Sequence, residues 1–155
     1  MNILILGGGG REHALAWAVK QNPKCDRLIV APGNAGIAQL AECADIDILS
    51  GSTVVTFCEE NAVDFVIVGP EAPLAAGVAD ACRAAGLLTF GPSAAAARLE
   101  ASKAFTKEIC DACGAPTAGY ARFTEAAAAR AHVAAKGAPI VVKADGLAAG
   151  KGVVV

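Results

Sequence analysis

Several clusters of residues in this chain have the types and spacing to do chemistry. The first is Gly7-Gly8-Gly9-Gly10-Arg11-Glu12-His13, which joins an apolar run to a helical pattern. Glycines at such a junction let the backbone come close to an anion, while the helix start offers unpaired N–H groups and a positive dipole end. A phosphate-sized ligand suits this loop, with Arg11 as its cationic partner; a plain tight turn is the alternative. Glu12 serves equally well as a ligand residue or as a complement to the helix dipole. A dinucleotide fits less well. Glu12 stands where GxGxxG needs its third glycine, and the second strand runs into Pro32-Gly33-Asn34 instead of an acidic residue.

The second cluster is Asp145-Gly146-Leu147-Ala148-Ala149-Gly150-Lys151-Gly152. Its GxxxGK spacing is one residue short of a P-loop, Gly152 stands where Ser or Thr would hold a metal, and both flanks are strand-like. A glycine-rich hairpin with Lys151 at its tip is suited to closing over nucleotide phosphates, with Lys143 directing a second cation to the same space. An ordinary surface hairpin is the alternative. Lys103 falls in the first turn of an expected helix, where the dipole disfavours a cation, so either Glu100 compensates or an anion docks there. Cys110-Asp-Ala-Cys113 has no second ligand pair and lies at a helix's C-terminal end, which argues against zinc and against a redox pair; both thiols read as structural. His13 has no Ser or Cys beside it in sequence that would make a nucleophilic triad.

The elements that must position these residues alternate. Strands are expected at 2–6, 27–31, 64–68 and 87–90, and helices at 11–21, near 50–61 with Ser50 or Ser52 as N-cap, and across 74–85. Ala14, Leu15, Ala18 and Val19 form the expected inner stripe of the first helix, and Leu74, Val78, Ala81, Cys82 and Ala85 that of the last. Near-continuous apolar strands separated by helices predict an α/β fold, a doubly wound parallel sheet of Rossmann-like layout. Ligands bind at the carboxyl ends of such strands. The segments 7–10, 31–36, 69–74 and 91–93 all lie at those ends, so four separate stretches converge on one edge. After residue 93 the pattern changes: a helical patch over 93–99, a helix at 102–113 with Phe105, Ile109 and Cys113 inward, an extended piece at 117–123, an alanine-rich helix at 124–136, and a strand at 139–143. This reads as the opening of a second domain too short to close its own core.

Composition narrows the function classes. The chain has 155 residues, 13 Lys+Arg against 15 Asp+Glu and a formal net charge of −2, which excludes the strongly basic face of a nucleic-acid binder. About a quarter of the chain is alanine and only 5% is aromatic, so the core must come from small and branched side chains. No apolar run reaches membrane-spanning length and the start lacks the pattern of a signal peptide, which predicts a cytoplasmic, non-membrane protein. Cys25, Cys43, Cys58 and Cys82 are scattered singly through apolar or amphipathic stretches and read as reduced core residues.

Six segments, in order, carry a resemblance: GGGGREHALAWA, APGNAG, VIVGPEAPLAAGVAD, FGPSAAAARLEASKAFTK, APTAGY and IVVKADGLAAGKGVVV. Together they resemble the phosphoribosylamine–glycine ligase (glycinamide ribonucleotide synthetase) family of the ATP-grasp superfamily, over essentially the whole chain. The resemblance implies a substrate-binding α/β domain at 1–101 and the incomplete start of an ATP-grasp domain at 102–155, roughly the first third of a longer enzyme. It implies that the phosphate and ribose of phosphoribosylamine face Gly8, Gly10, Arg11, Glu12, Asn34, Gly69, Pro70 and Glu71. It further implies that Lys103, Lys143, Gly146, Gly150, Lys151 and Gly152 meet ATP, and that Mg²⁺ or Mn²⁺ is held by residues beyond Val155, as are the catalytic residues. The implied reaction joins glycine to phosphoribosylamine through a glycyl phosphate in purine biosynthesis, in a monomer with small-molecule substrates only. The chain alone is expected to have no ligase activity. The competing expectations are another ATP-grasp carboxylate–amine ligase and a non-catalytic nucleotide-binding module.

Overall fold

The computed structural model describes residues 1–148 and 152–155. It divides into two compact units, Met1–Ala97 and Arg98–Val155. In the first, β1 (Asn2–Gly7), β2 (Arg27–Pro32), β3 (Glu42–Cys43), β4 (Phe65–Val68) and β5 (Leu88–Phe90) form one sheet in the order β3-β2-β1-β4-β5, every pair parallel. The chain moves outward from β1 through β2 to β3, then returns to the other side of β1 for β4 and β5. That reversal puts a topological switch point at the carboxyl ends of β1 and β4, where open α/β sheets bind ligands.

The four expected strands are present, and β3 is additional. Its two residues are exposed and carry no apolar run, so no periodicity marks them. A single 3-10 turn, Ile37–Gln39, precedes it. Helices α1 (Gly10–Lys20), α2 (Gly51–Glu60), α3 (Glu71–Ala75) and α4 (Val78–Ala84) follow the strands, and α5 (Ala94–Ala101) runs across the boundary between the units. Ser50 is the N-cap of α2, its hydroxyl accepting from the Thr53 amide at 3.2 Å. The expected third helix is two, broken at Gly77, whose φ of 82° is left-handed.

Apolar strand residues alternate between two cores. Leu4, Leu6, Ile29, Val66 and Val68 face Val54, Cys58, Leu74, Val78 and Cys82, while Ile3, Ile5, Leu28, Val30 and Ile67 face Ala16 and Ile37. The buried face of α1 is therefore Glu12 and Ala16, flanked by Leu15 and Val19; Ala14 and Ala18 are exposed, contrary to the expected stripe. The helix is turned so that Glu12 points into the sheet edge. Ala85 is likewise exposed and Ala79 takes its place. Cys58 and Cys82 are core residues, and burial pushes the Cys58 thiol up to about 12. Cys43 is exposed, because its strand is the sheet's outer edge.

The second unit holds α6 (Lys103–Cys113), α7 (Ala126–Lys136) and an antiparallel pair, β6 (Val142–Lys143) with β7 (Val153–Val154). The strand expected at 139–143 is reduced to its last two residues, and 117–123 holds no regular element. Neither α6 nor α7 buries a side chain, so Ile109 and Cys113 are exposed instead of inward. Polar and stacking contacts dominate: the Arg98 guanidinium lies 3.8 Å over the Phe105 ring, and Lys107 donates to Thr117 Oγ1 and the Ala118 carbonyl at 2.6 Å each. Among the described residues no helix is long and apolar enough to cross a membrane.

Candidate functional site

The carboxyl edge of the parallel sheet gathers most of the residues singled out in sequence. Its centre is Glu12, a buried charged residue whose side chain is 4% exposed. Oε2 accepts from the Gly9 amide at 2.8 Å, the reach-back half of a capping box, and Oε1 accepts from Arg11 Nε at 2.9 Å. The strand ends on either side are glycines because this side chain fills the space between them. A Cβ on Gly7 would lie 2.6 Å from Glu12 Cγ, and one on Gly69 would lie 2.8 Å from the same atom.

Arg11 continues the network outward. Its Nη1 donates to Glu71 Oε1 at 2.9 Å, joining the first loop to the start of α3. Both side chains are partly exposed, Arg11 at 52% and Glu71 at 41%, so this pair is the accessible part of the edge. The Arg11 guanidinium holds the Glu71 carboxyl below its ordinary range, and Glu71 and Glu12 together raise that of Arg11. The two residues are 60 apart in sequence. Only the β1–β4 adjacency makes them neighbours.

Asn34 ties the second loop to the first. Its Nδ2 donates to the Gly8 carbonyl at 2.8 Å, while Oδ1 accepts from the amides of Gly36 at 2.8 Å and Ile37 at 2.9 Å. The loops touch backbone to backbone: a Cβ on Gly8 would sit 2.5 Å from the Gly33 carbonyl oxygen. Gly10 borders open space, and Pro70 is the extended residue preceding α3. A separate recess of about 330 Å³ runs along α2, lined by Ile46, Ser52, Thr53, Thr56, Phe57 and Glu60; it shares no residue with this edge.

In the second unit Asp145 and Gly146 meet the start of α6. Asp145 caps that helix: Oδ1 accepts from the Lys103 amide at 2.7 Å and the Ala104 amide at 3.3 Å, and Ser102 Oγ donates to Oδ2 at 3.1 Å. These donors, the Ala104 amide foremost, hold the Asp145 carboxyl below its ordinary range. Lys103 Nζ donates to the Gly146 carbonyl at 2.8 Å, so its partner is neutral. Lys143 is exposed beside β7, opposite Val153. The Gly152 carbonyl accepts from the Ala144 amide at 2.7 Å, next to the β6–β7 pair. Gly150 and Lys151 lie outside the described residues. Asp145 went unassigned in the sequence because a cap supplied from 42 residues away leaves no local pattern.

Among the described residues no group of three or more His, Cys, Asp or Glu is placed to hold a metal ion.

Comparison with known proteins places this architecture. Residues 1–100 match the family model described as "Phosphoribosylglycinamide synthetase, N domain", and residues 101–155 match "Phosphoribosylglycinamide synthetase, ATP-grasp (A) domain". The chain is 57% identical over 155 residues to the phosphoribosylamine–glycine ligase of Rhizobium meliloti (strain 1021), covering all of this chain and 37% of that protein. It is 58% identical over 157 residues to the Vibrio cholerae protein of the same name, again covering all of this chain and 37% of the relative. The chain thus spans a little over a third of the length of these curated relatives. The crystal structure of phosphoribosylamine–glycine ligase from Thermotoga maritima superposes with a TM-score of 0.73 at 29% identity, covering 99% of this chain and 35% of that one. The biotin carboxylase domain of the Hydrogenobacter thermophilus 2-oxoglutarate carboxylase shares the fold at a TM-score of 0.74 and 16% identity, over 99% of this chain and 37% of that one. With both of its segments matched and its fold that of a Rossmann-like N domain leading into an ATP-grasp start, the chain belongs to the phosphoribosylglycinamide synthetase family.

Proposed function

We propose that this chain supplies the phosphoribosyl-binding part and the opening of the ATP-grasp part of an enzyme that ligates glycine to 5-phosphoribosylamine. The observation that carries this reading is the Arg11–Glu71 pair beside the Gly8–Gly10 loop, at the switch point of a sheet whose family is phosphoribosylglycinamide synthetase. The substrate phosphate would meet the start of α1 and Arg11, where N–H groups without intrahelical partners and a guanidinium favour an anion. Glu71 would accept hydrogen bonds from ribose hydroxyls or the 1-amino group. Residues 1–101 act as the substrate-binding domain and 102–155 as the opening of the ATP-grasp domain.

The reaction runs in two displacements. The glycine carboxylate attacks the γ-phosphorus of ATP and ADP leaves; the amine nitrogen of phosphoribosylamine then attacks the acyl carbon of glycyl phosphate, loses a proton, and inorganic phosphate leaves. Positioning and charge neutralisation carry such chemistry. Lys103, Lys143 and the Gly146–Gly152 segment with Gly150 and Lys151 are the proposed ATP contacts. The neutral partner of Lys103 leaves its charge available to a phosphate. Mg²⁺ or Mn²⁺ would accompany ATP; among the described residues no group of three or more His, Cys, Asp or Glu is placed to hold it, and no step here is routed through a metal. The enzyme acts as a cytoplasmic monomer on small molecules, without nucleic acid or membrane.

Titrating the chain with ribose 5-phosphate tests the site. Saturable binding is expected, weakened about tenfold by Arg11→Met, the size of one lost charge-assisted hydrogen bond. Equal affinity in the variant would contradict the reading.

A further inference from the structure

We infer that Glu12 is a positioning residue: it acts on the phosphoribosyl ligand through Arg11 and the glycine loop, without touching the ligand itself. This rests on the reading of the sheet edge as the phosphoribosyl site. Three observations support it. Both carboxylate oxygens are already engaged inside the protein, Oε2 by the Gly9 amide and Oε1 by Arg11 Nε. The side chain is 4% exposed, against 52% for Arg11 and 41% for Glu71, so the accessible surface begins one residue further out. The space around it is closed, because neither Gly7 nor Gly69 could carry even a methyl group without meeting it.

The consequence is geometric. A ligand entering the switch point cannot pass between the ends of β1 and β4, because Glu12 fills that gap. It must rest above, on the loop and on Arg11. Glu12 fixes both. Its bond to the Gly9 amide sets the loop's turn into α1, and its bond to Nε removes the rotational freedom of the guanidinium, leaving the Nη edge to face outward beside Glu71. Ordering a long cationic side chain before binding removes an entropic cost that the ligand would otherwise meet.

A double-mutant cycle with ribose 5-phosphate tests this on the 155-residue chain. Dissociation constants are measured for wild type, Glu12→Gln, Arg11→Met and the double variant. Glu12→Gln keeps the shape but weakens the grip on Nε, and should lose roughly fivefold to tenfold in affinity; in the Arg11→Met background it should change affinity less than about twofold, since groups acting through one another do not add. Multiplying losses would mean that Glu12 acts on the ligand independently of Arg11, and an unchanged affinity for Glu12→Gln would mean that its grip on Arg11 does nothing for binding. Either result overturns the inference. If wild type itself fails to bind ribose 5-phosphate, the site reading fails and the inference falls with it, an outcome separable from the other two. Should Glu12→Gln lose its cooperative unfolding transition, the wild-type Arg11 side-chain NMR signals decide. A slowly exchanging Nε–H that stays in place while the Nη protons shift on adding ribose 5-phosphate supports the inference. A freely exchanging Nε–H overturns it.

Discussion

Arg11 is shared between two carboxylates of different fate, and that difference organises the chemistry at the residue scale. Glu12 is enclosed and occupied; Glu71 is accessible and holds only one guanidinium nitrogen. The Glu71 carboxyl is depressed by Arg11, so its contribution to stability is present above the ordinary glutamate range and is lost as pH falls through the lowered folded value. The pair is partly exposed and screened, which limits that contribution to about 1 kcal/mol or less. Comparing wild type with Glu71→Gln by urea unfolding should therefore show a small difference near pH 7 that is lost as pH falls below the ordinary glutamate range. A difference independent of pH would mean that the ion pair contributes nothing. In the sequence Arg11 stands out as a phosphate partner, whereas its tie to Glu71 does not, because no local spacing connects the first turns of two different helices. Glu12 was ambiguous for a similar reason: burial, which decides its role, is set by the neighbouring strand.

At the scale of elements, the loops at the ends of β1, β2 and β4 are held by contacts that forbid side chains. Gly8→Ala would drive a Cβ into the Gly33 carbonyl oxygen and Gly69→Ala would drive one into Glu12. Each should cost about 1–3 kcal/mol, as overpacking does. Gly10→Ala meets nothing within 4 Å and lies in the first turn of α1, so it should be neutral or stabilising by up to about 1 kcal/mol. Urea midpoints of the three variants check the contrast, and equal losses at all three positions would show that general loop flexibility, not close approach, sets the cost. The sheet itself was readable: continuous apolar runs mark β1, β2 and β4, and glycine and proline close them. What was not readable depends on tertiary geometry. β3 is a two-residue edge strand with no apolar signal, Gly77 splits one amphipathic stretch into α3 and α4, and the seam of α1 is turned by the bonds of Glu12. The Asp145 cap on α6 belongs to the same class, since its donor and acceptor lie in separate elements.

Across the whole molecule the two units differ in kind. Every buried core side chain among the described residues lies in Met1–Ala97, and the helices of Arg98–Val155 bury none. Local opening should follow that division. Hydrogen exchange is expected to be slowest in β1, β2 and β4 and fast throughout α6, α7 and the β6–β7 pair; equal protection in the two units would contradict it. Backbone amide shifts during a ribose 5-phosphate titration test most directly whether the carboxyl edge of the parallel sheet receives a phosphoribosyl ligand, as proposed. Saturable shifts are expected, concentrated at Gly8–Arg11, Asn34, Gly69 and Glu71. Shifts confined to the recess along α2, or none that saturate, would contradict that proposal.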